Sequence, residues 1–131
     1  MNVLALDFGL RRIGVAVGST ESRIGFPRQA LIRDGDVLEK LSRLIEQEHI
    51  RTVLLGSPVK RDGSPGDIHI ALKLFASQLQ HFSIPIILVD ERYSTKIAQA
   101  KLREVNIAAR DQKSLLDSLA AQVVLQEWLD Q

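Results

Sequence analysis

The sequence predicts an α/β fold: a five-stranded mixed sheet, three strands antiparallel and two parallel, flanked by about four helices. Three observations predict it. Residues 3–18 alternate apolar positions on either side of a glycine turn, the pattern of a hairpin. Two later apolar runs, 52–56 and 86–89, are short and unbroken, the pattern of strands covered on both faces, and each follows a stretch whose apolar residues recur at helical spacing. Strands separated by helices pair in parallel, and right-handed crossovers carry the carboxyl ends of the first, fourth and fifth strands to one rim of the sheet.

In the first strand Val3, Ala5 and Asp7 alternate with Leu4, Leu6 and Phe8, so an apolar strand ends with a carboxylate on one of its faces. A charge in that place needs a partner: a bound cation, an arginine or backbone donors. Gly9 permits a tight reversal, Arg11 and Arg12 crown it, and Ile13, Val15 and Val17 resume the second strand, whose other face carries Gly14, Ala16 and Gly18. Ile24, Phe26, Ala30 and Leu31 then form a run interrupted by Gly25 and Pro27, which suits a third strand at or near an edge. Asp36 with Glu39 has the spacing of a capping box, and Val37, Leu38, Leu41, Leu44 and Ile45 carry the first helix to about Glu48.

The run 52–56 gives way to a loop, 57–66, that contains Lys60, Arg61 and two glycines. Ser64 as a cap and Pro65 at the first helical position open a second helix through Ile68, Leu72, Phe75, Ala76 and Leu79 to Phe82. Pro85 opens a buried fifth strand with Asp90 and Glu91 at its far end, and alternation points Asp90 away from Glu91. Ser94 or Thr95 caps a short helix carrying Ile97, Ala98 and Leu102. Residues 106–113 have no sustained period and, with the 57–66 loop, are expected to be the most mobile. The last helix, 114–129, offers Leu116, Ala120, Val123, Val124 and Trp128 to the core, and Asp117 shares with Ala121, Val124 and Trp128 a stripe expected to face the sheet.

Composition narrows the function. A chain of 131 residues that is 45% hydrophobic supports one domain, 1–131, and is too short for two ordinary ones. Without cysteine there is neither a disulfide framework nor a thiolate metal site, and His49, His69 and His81 lack ligand spacing. No apolar run approaches the roughly 20 residues that cross a bilayer, and no signal-peptide pattern opens the chain, so a cytoplasmic location is expected. Seventeen basic against sixteen acidic residues give a net charge of +1, so a polyanion would be held by a local patch, not by bulk charge.

Three carboxylates, Asp7, Glu91 and Asp117, lie at the ends of apolar segments far apart in the chain. Singly each has an ordinary place: Asp7 as an acceptor for the turn that follows it, Asp117 near a helix amino terminus. Together they would suit hard divalent cations, Mg²⁺ or Mn²⁺ rather than zinc.

Four ordered motifs, Asp7-Phe-Gly-Leu-Arg-Arg-Ile-Gly-Val-Ala, Gly56-Ser-Pro-Val-Lys-Arg-Asp-Gly-Ser, Asp90-Glu-Arg-Tyr-Ser-Thr and Leu116-Asp-Ser-Leu-Ala-Ala-Gln, resemble those of the YqgF/RuvX family over nearly the whole chain. The resemblance implies a ribonuclease H-like fold and a metal-dependent nuclease. The family was first described as Holliday junction resolvases and is now described as nucleases that mature the 5′ end of pre-16S ribosomal RNA. It further implies that Asp7, Glu91 and Asp117 are the catalytic, metal-binding acids, holding two ions about 3.5–4 Å apart, with Asp7 bridging them. Arg11, Arg12, Lys60, Arg61 and Arg92 flank the same rim as candidate phosphate contacts. The expected partner is nucleic acid, precursor ribosomal RNA ahead of a four-way DNA junction. Many relatives have Gly-Leu-Pro where this chain has Gly56-Ser-Pro, and Glu-Arg-Leu-Thr-Thr where it has Glu91-Arg-Tyr-Ser-Thr; neither departure touches an acid. Two other classes compete. A nucleic-acid-binding module with little catalysis would have no need of three acids, and a sugar kinase or actin-like ATPase, which shares the Asp-x-Gly hairpin, needs two domains around its nucleotide.

Overall fold

A computed structural model describes residues 1–57, 67–90 and 118–131. β1 (Asn2–Phe8) and β2 (Arg12–Ser19) form the expected hairpin, paired from Asn2 opposite Ser19 to Phe8 opposite Ile13. β3 (Gly25–Ile32) adds antiparallel to β2, while β4 (Ile50–Ser57) lies parallel to β1 and β5 (Ile86–Asp90) parallel to β4. The strand order β3-β2-β1-β4-β5 is the mixed five-stranded sheet that the sequence predicts, with Pro27 on an edge strand where its missing N–H costs least. α1 (Val37–Gln47) links β3 to β4. α2 (Asp67–Leu79) runs into a 3₁₀ turn (Gln80–Phe82) before β5, and α3 (Leu119–Leu129) ends the chain.

Strand alternation divides the core into two layers. Leu4, Leu6 and Phe8, with neighbours on β2 and β4, pack beneath Leu41 of α1 and Leu72, Phe75 and Leu79 of α2. On the other face Val3, Ala5, Ala16 and Leu54 pack against Ala121, Leu125 and Leu129 of α3. Alanines at three of these positions let the helix approach closely, and two glutamines fix its place on the edge strand. Gln122 Nε2 donates to Gly25 O (2.9 Å), Gln126 Oε1 accepts from Gly25 N (3.1 Å), and Gln126 Nε2 donates to Arg23 O (2.9 Å). The backbone itself is gripped here, and a Cβ at Gly25 would come within 2.9 Å of Leu125 Cδ2.

Three expectations need correction. The capping box of Asp36 and Glu39 does not form: Asp36 makes no side-chain cap, its own N–H instead donates to Asp34 Oδ1 (3.0 Å), and Glu39 pairs with Arg43 one turn on (2.7 Å). With two acids two residues apart, the local turn uses the earlier one. The fifth strand is not buried on both faces, since it is an edge strand and Leu88 is 61% exposed. In α3 the apolar anchors include Leu125 and Leu129 while Ala120 is only half-buried, although Val123 and Val124 are buried as expected and Trp128 packs against the same layer. The 57–66 loop beyond Ser57, the helix expected near residues 96–102, the 106–113 segment and the start of the last helix lie outside the described residues.

Among the described residues, three that are not glycine adopt positive φ: Arg23 (57°), His49 (52°) and Ser83 (58°). Each sits in the connection just before a strand, β3, β4 or β5 in turn, which puts all three at the rim opposite the carboxyl ends of the parallel strands.

Candidate active site

Asp7 is the penultimate residue of β1, the central strand, and takes the face of Val3 and Ala5, the one that α3 covers. Its partner across the antiparallel ladder is Gly14 and across the parallel ladder Gly56, so no side chain stands beside it on either neighbouring strand. The carboxylate is half-buried, and among the described residues no hydrogen bond or ion pair reaches it. An open concavity of about 420 Å³, lined by Asp7, Gly9, Arg11, Arg12 and Gly14, adjoins it. A partly desolvated carboxylate that has no partner among the described residues and borders this concavity fits a hard cation held through oxygen.

The rim expected from the crossovers is present. Asp7 and Gly56 are paired, Ser57 is paired with Asp90, and so the carboxyl ends of β1, β4 and β5 lie side by side. Val89, opposite Gly56, packs on the same face as Ala5. Glu91 and Asp117 lie outside the described residues, as do Lys60, Arg61 and Arg92, and among the described residues no three His, Cys, Asp or Glu side chains gather into a metal cage. The frame next to the two acids is nonetheless fixed. Asp90 ends a paired strand, and buried Ser118, just before α3, accepts a hydrogen bond through Oγ from Val15 N (2.9 Å). That contact falls where the β2–β3 register shifts, between Ile13 and Val15, one residue from the glycine opposite Asp7.

Arg11 and Arg12 are exposed on the turn after Asp7, where the sequence places them. Gly9 N donates to Arg12 O (3.0 Å), and a Cβ at Gly9 would lie only 2.6 Å from that same oxygen, which is why the turn needs glycine. A residue that sequence reasoning passed over holds this turn from outside. Arg33 Nη1 donates to Gly9 O and Leu10 O (2.9 Å each), its guanidinium lies 4.2 Å from the centre of the Phe8 ring, and its backbone N donates to Arg11 O (2.9 Å). The register could have pointed to it: Ile32 lies opposite Arg12, so the next residue falls beside the turn.

A family model described as a Holliday junction resolvase, RuvX, matches residues 1–131. A protein of Nitrosomonas eutropha named "Putative pre-16S rRNA nuclease" is 41% identical over 133 residues, covering 98% of this chain and 83% of its own. One of the same name from Chromobacterium violaceum is 39% identical, covering 98% and 96%. Among solved structures, Thermus thermophilus RuvC in complex with a Holliday junction substrate superposes with a TM-score of 0.62 at 16% identity, covering 99% of this chain and 94% of that one. The fowlpox virus Holliday junction resolvase does so at 0.58 and 14% identity, covering 99% and 98%. At those identities the two structures establish a shared fold.

Proposed function

Because the chain belongs to the RuvX family, described as Holliday junction resolvases, we propose that it is a divalent-metal-dependent nuclease that hydrolyses phosphodiester bonds in nucleic acid, with precursor 16S ribosomal RNA as its substrate. Asp7 carries the reading: a half-buried carboxylate near the end of the central strand, with no partner among the described residues, glycine opposite it on both neighbouring strands, and beside it a turn that presents two arginines. The relatives' name, a pre-16S rRNA nuclease, supports the RNA as substrate, and a role in ribosome biogenesis in the cytoplasm belongs to the same proposal.

In this proposal Asp7, Glu91 and Asp117 hold the metal, and the whole chain acts as one nuclease domain. Asp7 would hold cations on a face where its partners on both neighbouring strands, Gly14 and Gly56, are glycines. In sequence Glu91 follows Asp90, the last residue of β5, and Asp117 precedes Ser118, whose Oγ is bonded to Val15 N, and this adjacency supports the assignment. Bound Mg²⁺ or Mn²⁺ would supply an activated water and charge stabilisation for the leaving oxygen. Arg11 and Arg12, with Lys60, Arg61 and Arg92, hold the phosphates that flank the scissile one, by charge-assisted hydrogen bonds that set register without reading bases.

The test compares purified protein on precursor RNA and on a four-way DNA junction, each with Mg²⁺, with Mn²⁺ and with chelator. Chelator-sensitive cleavage of the RNA is expected. Cleavage of the junction alone would move the substrate to DNA, and binding without cleavage of either would make the chain a binding module.

A further inference from the structure

We infer that Arg33 is a positioning residue for the active centre: it clasps the β1–β2 turn and thereby sets where Asp7, Arg11 and Arg12 stand relative to one another. The inference rests on the proposed nuclease reading. The geometry is specific. Asp7 is followed by three residues, and Arg33 touches each: the ring of Phe8 by stacking, and the carbonyls of Gly9 and Leu10 by two 2.9 Å hydrogen bonds from one nitrogen. Phe8 is in turn anchored, 3% exposed and 5.0 Å from the ring of Phe75, so the guanidinium rests on a fixed surface. The last residue of the turn, Arg11, is tied to the Arg33 backbone.

Without this clasp the turn would retain the hydrogen bond from Gly9 N to Arg12 O and would lose the side-chain contacts that hold its outer carbonyls. A carboxylate that places cations tolerates little displacement, and misplacement by about 1 Å costs roughly 100-fold in rate. Stacking and paired donation to carbonyls both need a planar guanidinium, so lysine would replace the charge and only part of the clasp.

The experiment compares Arg33→Ala and Arg33→Lys with the parent, measuring amide hydrogen exchange without metal and cleavage per folded molecule with Mn²⁺. For Arg33→Ala we expect exchange at Gly9 and at position 33 to quicken by about 10-fold or more, exchange in Leu4, Leu6 and Leu125 to stay unchanged, and cleavage to fall by about 10- to 100-fold. Arg33→Lys should lie between. Unchanged exchange at Gly9 overturns the clasp, and so does an equal rise throughout β1 and α3, which would mean a general loss of stability. A locally opened turn with undiminished cleavage overturns the positioning role. If the parent itself cleaves no nucleic acid, the proposed function fails while the exchange measurements still decide whether the clasp exists.

Discussion

Changing Asp7 to Asn preserves shape and removes one negative charge, and its consequences for stability and for activity run in opposite directions. In the metal-free protein the carboxylate is half-buried with no described partner, so replacing it with an amide should leave the fold as stable or stabilise it by up to about 1 kcal/mol. Unfolding entropy of about 2.1 cal/mol/K per residue gives roughly 0.3 kcal/mol/K for 131 residues, so this corresponds to a Tm raised by no more than about 4 °C. Metal reverses the order. At a concentration one hundred times its Kd, a cation that binds only the folded parent adds about 2.7 kcal/mol, or roughly 10 °C, and Asp7→Asn should gain little of it. Cleavage should fall by more than about 100-fold, since even changes outside the ligand shell cost 10- to 100-fold. Nucleic-acid binding should be unchanged or stronger, because phosphate meets one negative charge fewer. Thermal melts with Mn²⁺ and with chelator, beside a cleavage assay, test all of this. An Asp7→Asn protein that metal stabilises as much as the parent, or that cleaves as well in a chelator-sensitive manner, would place the metal site elsewhere.

Three further outcomes are expected. Gly9→Ala forces a Cβ against the backbone oxygen of Arg12 at 2.6 Å, which cannot give way without moving the turn; a loss of about 1–3 kcal/mol by urea denaturation is expected, with cleavage reduced at least as far as for Arg33→Ala. Gln122→Leu strips the buried Gly25 carbonyl of its donor and should cost about 1–3 kcal/mol by the same measurement, whereas an equally stable variant would show that the α3 clasp on β3 is dispensable. Arg92→Ala should weaken RNA binding and lower the slope of log affinity against log salt by about 0.7, the signature of one lost contact to single-stranded phosphate; an unchanged slope removes Arg92 from the phosphate contacts.

The mixed sheet and the rim that bears Asp7 were legible because both follow from strong local patterns joined by a chirality rule. Apolar runs mark β1, β4 and β5, the glycine turn marks the hairpin, and right-handed crossovers bring the carboxyl ends of β1, β4 and β5 to one rim, whereas the order β3-β2-β1-β4-β5 came from the structure. Features that depend on contacts between distant segments were not legible. Arg33 reads as a solvated arginine until it is set beside carbonyls more than twenty residues earlier, and Gln122 reads as the polar side of a helix until Gly25 lies beneath it. An apolar run cannot show whether a strand has one neighbour or two, which is why β5 read as buried. Asp36 has the capping-box spacing to Glu39, and only the backbone path shows that the carboxylate in use is that of Asp34, which accepts from Asp36 N.

The three left-handed residues at the far rim give the molecule a separable reserve for engineering. Conformations of this kind cost a side chain about 1 kcal/mol or more, and glycine or asparagine adopts them more easily. Because Arg23, His49 and Ser83 all lie at the end of the sheet away from Asp7, relieving them should raise stability without altering the geometry of the rim proposed to be catalytic. The usual conflict between a stiffer protein and a working one is thus avoided by distance. A thermostable version built there, with the Asp7 hairpin left as it is, would tolerate further changes in the arginines proposed to hold phosphates, so that the search for altered binding could begin from a scaffold with stability to spare.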